Sequence, residues 1–405
     1  MVLALVACGD KKDDTNTDDQ DNNEVTDFKV GFIMLHDENS TYDLNFINAA
    51  KEACETLGVE YTIVTNVPEG QECYDKAAEL ADAGCNIIFA DSFGHEDYMI
   101  QAAKDFPDVQ FCHSTGTKAH TEGLSNYHNA FASIYEGRYL AGIAAGLKLN
   151  EMIEAGQFTA DQAKMGYVGA FTYAEVVSGY TSFYLGAKSV CPTVTMDVTF
   201  TGGWYDETLE KEGAQKLIAG GCKLISQHAD SLGAPTACEN AGVPNVSYNG
   251  STITAGPNTY IISSRIDWAP YYEMAIKAVM DGTEIPADYT GNLSTGSVVL
   301  TDLNTAVAAE GTQAAIDEAK AKLESGELHV FDCSTFTVSG ANVKDTMKVD
   351  ADGHLTSYMA DVNTDEAYTG DTEVVHDGYF SESEFRSAPY FDLFIDGINT
   401  LDTAF

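Results

Sequence analysis

The chain has 405 residues, 44% hydrophobic and 10% aromatic, enough to bury large cores and to form two or three domains. Its 63 acidic residues against 21 basic ones give a formal charge of -42, which repels phosphate backbones and anionic lipid surfaces. Nucleic-acid polymers are therefore poor partners, and the acidity itself reads as a well-solvated surface.

The chain opens with MVLALVACGD, a short apolar run in which Leu5, Val6 and Ala7 precede Cys8. This stretch resembles the lipobox of bacterial lipoproteins, where the signal peptide is cut before a cysteine that then carries lipid. The resemblance implies lipidation at Cys8 and anchoring outside the cytoplasmic membrane. The apolar run is shorter than a full signal region and follows no Lys or Arg, so the start is expected to be truncated. Residues 9–27 are polar and acidic and read as a flexible tether. No later segment offers the roughly 18 apolar residues that span a bilayer. Of the nine cysteines, Cys54, Cys85, Cys112 and Cys222 fall where the pattern wants a small apolar residue and read as buried thiols. There is no CxxC to support a zinc or redox site of that type.

From Phe28 short β-rich runs alternate with helical periodicity. FKVGFIML (28–35) predicts a strand, and Phe46, Ile47, Ala50, Cys54 and Leu57 then share one helical stripe. A strand follows at VEYTIVTNV, a helix around CYDKAAELADAG, a strand at CNIIFAD, a helix around MIQAAKDF and a strand at VQFCHS. Such alternation predicts parallel sheets covered by helices. The segment 133–149, rich in small residues, predicts a helix packed closely on the sheet.

The pattern restarts with strand KMGYVGAF, helix AEVVSGYTSFYLGAKSV, strand TVTMDVTF, helix LEKEGAQKLIAGG and strand CKLISQHAD. GCNIIFADS (84–92) and GCKLISQHADS (221–231) echo each other, each placing Asp-Ser at a strand exit. Two such lobes leave a cleft between facing strand ends, where ligands of open α/β sheets bind. In the first of these exits Phe93 either faces a flat ligand, with Asp91 or Ser92 taking its polar hydrogens, or folds under its own loop while Asp91 or Ser92 caps the next helix.

These stretches, with IIFADSFGHEDYMIQAAKDFPDVQF, YEGRYLAGIAAG, GWYDETLEKEGAQKLIAGGCKLISQHADS and WAPYYEMAIKAVMDGT, resemble the basic membrane protein family over about Phe28 to Phe336. Its members are purine-nucleoside-receptor-like lipoproteins that serve as substrate-binding components of ABC transporters. The resemblance implies an α/β fold of two Rossmann-like lobes with parallel sheets, like type I periplasmic binding proteins, closing on a ligand. The expected organisation is a truncated lipoprotein signal and acidic tether at 1–27, a first lobe at 28–150 rejoined by 251–290, a second lobe at 163–250 rejoined by 291–338, and an extension of unknown role at 339–405.

Carried over residue by residue, the resemblance implies that Tyr42 stacks on the ligand while Asp37 or Asn45 hydrogen-bonds to it, in a loop that departs from the nucleoside-receptor form, an Asp with Ser-Phe-Asn. Ser92 and Phe93 line the same lobe, and His113, Ser114 and Gly116 lie near the cleft. Phe171, Glu175, Trp204, the group Gln227 to Asp230 and Asn249 occupy the matching exits of the second lobe, and Trp268 resembles a cleft tryptophan. No lysine matches the ribose contact of nucleoside receptors; Arg265 is the nearest basic residue.

An aromatic and acidic lining with one cation suits a neutral flat molecule rich in N–H and O–H donors, and repels a phosphate. Stacking of about 1–3 kcal/mol per base, with a few hydrogen bonds, reaches micromolar affinity. No GxSxG, HExxH or Walker-type loop is present, so the expectation is a non-enzymatic binding protein without cofactor or metal. His113, His120 and His128 fit neither a helical face nor a tight metal loop. The expected partners are a purine nucleoside or base, the permease and ATPase of an importer, and the membrane through lipid. The alternatives are the same fold with another polar heterocycle or a sugar, or a sensory or metal-binding lipoprotein.

Overall fold

The computed structural model describes residues 28–364 and 369–402; Cys8 and the acidic tether lie outside them. The first lobe follows the alternation read from sequence: β1 (Lys29–Ile33), α1 (Thr41–Leu57), β2 (Glu60–Val64), α2 (Gln71–Asp82), β3 (Ile87–Ala90), α3 (Glu96–Asp105), β4 (Gln110–Ser114), α4 (Ala119–Glu122) and β5 (Tyr127–Ala132). The chain then forms α5 (Ile134–Glu154), β6 (Lys164–Gly169), α6 (Ala174–Val190), β7 (Thr195–Phe200), α7 (Glu207–Ala219), β8 (Leu224–His228), α8 (Gly233–Ala241), β9 (Asn245–Tyr248) and β10 (Tyr260–Ile266). It returns through α9 (Ala269–Asp281) and β11 (Asp288–Gly291), then crosses again to β12 (Val298–Leu300) and α10 (Thr312–Ser325).

Helix α1 shows how local sequence sets an element. Ser40 caps it by accepting from the Asp43 amide, and Gly58 ends it with φ 66°, a left-handed conformation that glycine adopts without strain. Between these stops Phe46, Ile47, Ala50 and Cys54 are buried, the face expected from their spacing.

Sheet order is β11-β5-β4-β3-β1-β2 in the first lobe, every pair parallel. The second lobe's sheet holds β12-β10-β9-β8-β6-β7, with only β12 antiparallel to its neighbour. The echoing segments become β3 and β8, central strands in matching places, so their Asp-Ser exits face one gap. Parallel strands all point their carboxyl ends to the same side, and that side is where ligand loops can gather.

Two boundaries differ from expectation. Helix α5 packs on α6, β10 and β12, so the first crossing falls at Ser133 rather than near residue 150. Its small residues serve the sheet and a helix alike: a Cβ on Gly137 would lie 2.9 Å from Val298 on β12, one on Gly142 would lie 2.1 Å from the Phe183 carbonyl oxygen on α6, and one on Gly186 of α6 would lie 2.0 Å from that of Tyr139. Strand β10 likewise belongs to the second lobe, placing the return crossing at Asp267–Trp268 rather than before 260.

The described cysteines are buried and free of disulfides. Burial pushes the thiols of Cys54, Cys112, Cys222 and Cys238 up to about 12, so they stay protonated.

Beyond α10 the chain builds a layer of its own. Strands β13 (Met347–Val349), β14 (Leu355–Ala360) and β15 (Thr372–Glu373) form an antiparallel sheet, β16 (Val375–His376) and β17 (Tyr379–Phe380) a hairpin, and β18 (Ile398–Thr400) joins the second lobe parallel to β7. Phe331 stacks on Phe391 at 4.2 Å, tying this layer to the body. It touches both lobes: Ser387 donates to Asp288 from its amide at 2.9 Å and its hydroxyl at 2.7 Å, while Ser178 on α6 donates to Glu382.

Burial raises the Glu382 carboxyl from 4.5 to about 7, despite hydrogen bonds from Ser178 and Ser383 that lower it. Because the folded value exceeds the unfolded one, its contribution to stability is complete below pH 4.5 and is lost as pH rises to 7. Glu382→Gln should flatten that part of the profile, by up to about 1.4 kcal/mol per pH unit. Urea titrations of both proteins at pH 5 and pH 7.5 check this, and parallel profiles would contradict it.

Candidate ligand-binding cleft

The strand exits converge on a cavity lined by Leu35, His36, Tyr42, Ser92, Phe93 and Thr115 from the first lobe and Glu175, Trp204, His228 and Asp230 from the second. The lobes are closed on one another. The Thr41 amide donates to the Asp230 carbonyl at 3.0 Å, Phe93 meets Tyr173 with centroids 5.3 Å apart, and His36 meets Tyr205 at 5.6 Å. A cavity of about 20 Å3 remains, room for little more than one water.

The two exit aspartates have different duties. Asp91 is buried behind the lining: its Oδ1 accepts from the Leu35 amide at 3.1 Å and its carbonyl accepts from the Tyr42 hydroxyl at 2.7 Å. Burial, then the neighbouring Asp43 carboxylate, pushes the Asp91 carboxyl well above the usual range; its backbone carbonyl orients Tyr42 and its Oδ1 holds the β1 exit. Asp230 lines the cavity itself. Burial, then Glu210, Asp43 and Glu175, hold its carboxyl well above the usual range, and the Asn249 side chain donates to it at 3.1 Å. A neutral acid here can donate one hydrogen bond and accept another.

Beside each aspartate a serine is anchored by a glutamate. Ser92 donates to Glu69 at 2.5 Å, leaving its oxygen lone pairs toward the cavity, and Glu69 also accepts from the Gly94 amide. Glu210 accepts from the Ser231 amide at 3.1 Å.

Glu175 pairs with His228 at 3.4 Å. Burial lowers the His228 pKa although Glu175 opposes it, so the ring is biased toward neutrality. The aromatic wall is continuous: Phe171 stacks on Tyr173 at 4.9 Å and meets the Trp204 ring edge-on at 5.0 Å. Among the described lining residues there is no Lys or Arg. The nearest buried cation, Arg138 on α5, lies 4.6 Å from the Tyr248 ring centroid, and Tyr248 in turn packs on His228.

Of the residues expected from sequence, Tyr42, Ser92, Phe93, Glu175, Trp204 and Asp230 line the cavity. Phe171, Asp91 and Asn249 support it from behind. His113 is buried, its Nε2 2.5 Å from the Ser92 carbonyl, and Gly116 sits so tightly that a Cβ would lie 2.0 Å from Asn129. Gln227 is a core residue whose side chain accepts from Asn245 at 3.0 Å. Asp37 closes a local turn with Asn39, Asn45 lies on α1 away from the lining, and Arg265 pairs with Asp267 at 3.2 Å beside the return crossing. Trp268 is 2% exposed and stacks on Phe46 at 4.4 Å, a core ring of the first lobe and not a cleft ring. His120 and His128 are bound separately, to Asp288 at 3.3 Å and between Pro286 and Gln110.

Sequence reasoning did not single out His36, Thr115 or Arg138. Thr115 carried a usable signal, its place directly after the strand VQFCHS; it adopts φ 75°, strained for a β-branched residue.

The model of the Bmp family, described as ABC transporter substrate-binding protein PnrA-like, matches residues 31–330. A purine-binding protein of Brucella abortus is 34% identical over 75% of this chain and 83% of its own length. A putative ABC transporter glucose-binding protein of Haloferax volcanii is 31% identical over 67% of this chain and 63% of its own. Among solved structures, an ABC transporter solute-binding protein of Aeropyrum pernix superposes with TM-score 0.64 at 19% identity, covering 79% of this chain and 95% of that one.

The two tryptophans should separate on substitution. Trp268→Ala removes a buried ring and should cost about 3–5 kcal/mol of stability, while Trp204→Ala, at a partly exposed cleft position, should cost far less. Denaturant unfolding of both variants reads this directly; an equal loss would put Trp204 in the core.

Proposed function

The chain belongs to the PnrA-like family of ABC transporter substrate-binding proteins, and from that premise we propose that its ligand is a purine nucleobase or nucleoside. The family is non-enzymatic, and its members work outside the cytoplasm, handing solute to the permease and ATPase of an importer. Among the described residues no helix is long and apolar enough to cross a membrane. Anchoring by lipid at Cys8 is part of this proposal and rests on sequence alone.

The observation that carries the ligand reading is the pairing of ring faces with carboxyl groups in one closed cleft: Tyr42, Phe93 and Trp204 around Glu175 and Asp230. Ring faces favour a flat heterocycle through stacking. Glu175 accepts from ring or exocyclic N–H groups, and Asp230, which burial biases toward its protonated form, donates in that form to a ring nitrogen while accepting beside it, a complementary edge for a purine. Nothing in the lining neutralises a phosphate, which disfavours nucleotides. The Brucella relative's name points the same way. A hexose is the second reading, supported by the Haloferax relative's name and by the aromatic and acidic lining, which also suits a pyranose.

We infer that the lobes part to admit a ligand and close again on it, a reading supported by the small cavity, about 20 Å3, between them. Isothermal titration against nucleobases, nucleosides, nucleotides and hexoses tests the proposal. Micromolar or tighter binding is expected for at least one purine, with Trp204→Ala weakening it by about 1–3 kcal/mol. Binding of hexoses alone would overturn the purine reading and favour the second.

A further inference from the structure

Arg138, on α5, carries a charge that packing alone does not explain. The residue is 0% exposed, and among the described residues no carboxylate lies within ion-pair distance of it. Its Nη2 donates to the Tyr167 hydroxyl and, at 3.4 Å, to the Gln227 carbonyl; its Nε donates to the Gly179 carbonyl at 3.5 Å, and its Nη1 has no partner. A buried cation without a counter-charge is strongly destabilising, and an apolar side chain of similar volume would fill the same space more stably.

Two shared neighbours set this charge behind Glu175 and His228. The Tyr248 ring lies 4.6 Å from the guanidinium on one side and 4.6 Å from the His228 ring on the other. Gly179, whose carbonyl Arg138 bonds, is the second: a Cβ there would lie 2.9 Å from His228 Nδ1 and 3.5 Å from the Tyr167 hydroxyl, so that nitrogen and the arginine's phenol partner face one space. On its far side His228 presents Nε2 to Glu175 at 3.4 Å, and Glu175 lines the cavity. We propose that Arg138 is a positioning residue for ligand binding: its charge keeps His228 from becoming an imidazolium, so that the neutral ring donates from Nε2 to Glu175 and the Glu175 carboxylate stays available to N–H or O–H donors of the ligand. The inference rests on the reading of this cavity as the ligand site and holds for a purine and a hexose alike.

Electrostatics decides between two states of the pair. A histidine beside a carboxylate is drawn to take up a proton, and the resulting ion pair would engage the carboxylate's charge within the protein. A second cation behind the ring opposes that proton, because repulsion between like charges is weakly screened where water is excluded. The directions agree: burial lowers the His228 pKa, Glu175 raises it, and Arg138 lowers it again. His228 Nδ1 is buried and unpartnered, which leaves Nε2 as the nitrogen whose proton meets an acceptor. The other titratable groups facing the pair are Tyr167 of β6 and Tyr248 of β9 around the histidine, and Tyr42 of α1 and Asp230 after β8 around Glu175. Burial raises all four, so the three phenols stay uncharged through the neutral range.

Nitrogen-15 NMR of the ligand-free full chain, labelled at histidine and assigned with His228→Asn, reads the ring directly. In wild type His228 should remain neutral, with its proton on Nε2, down to about pH 5.5. Arg138→Met and Arg138→Gln should each raise its midpoint by about one pH unit or more, and Arg138→Lys should restore it. A midpoint unmoved in whichever of the two neutral variants folds, or raised as far in Arg138→Lys, would overturn the proposal. Calorimetry with nucleobases, nucleosides and hexoses then separates this inference from the reading beneath it. The compound that wild type binds should lose about threefold or more affinity for the neutral variant between pH 8 and pH 6, relative to wild type. A neutral variant whose binding follows pH as wild type does would overturn the role of Arg138 alone, whereas wild type that binds none of these compounds would overturn the ligand site itself.

Discussion

A cross-lobe contact sets the arrangement at the cleft, the Thr41 amide and hydroxyl both donating to the Asp230 carbonyl. Thr41 is the first residue of α1, Asp230 lies on the opposite lobe, and the Asp230 amide donates to Trp204 at 2.9 Å. Asn249 holds the Asp230 side chain and is itself held by its amide to Ser264 at 2.9 Å. A chain of bonds thus runs from β10 to the start of α1. Each link is worth only about 0.5–1.5 kcal/mol net of water, so no single one of them holds the lobes together.

The surface and the site obey opposite electrostatic rules. A formal charge of -42 surrounds a cleft whose central aspartate and histidine are both biased by burial toward their neutral forms. Arg138 sits at the back, 0% exposed and enclosed by the rings of Tyr167, Phe183 and Tyr248. Its charge is met by ring faces and by backbone oxygens, with Glu175 further off, which leaves the lining free to select neutral molecules.

Much of this was legible in the residues. The apolar runs and 3.6-residue stripes located the first lobe's strands and helices, and the internal echo placed Asp91 and Asp230 at equivalent exits. Strand β5 escaped notice because its buried run carries His128 and Asn129, polar residues satisfied within the fold by Pro286 and Gln110 for one and by the Ala119 amide and the Tyr127 hydroxyl for the other. Trp268 misled for a related reason. An aromatic after a strand exit faces a cleft or a core according to which lobe its helix joins, and α9 packs back on α1. The roles of Asp91 and Asp230 differ through neighbours such as Tyr42 and Asn249, and no local pattern distinguishes them.

The final strand has a consequence for how the molecule is made. Until β18 arrives, β7 is an edge with unpaired backbone groups, and its partner Thr400 pairs with Val198 across most of the chain's second half. Asp402 then accepts from the Thr199 hydroxyl at 2.6 Å and the Phe200 amide at 2.8 Å. The second lobe therefore cannot seal this border until residues 398–402 have been synthesised, long after β7 itself has left the ribosome.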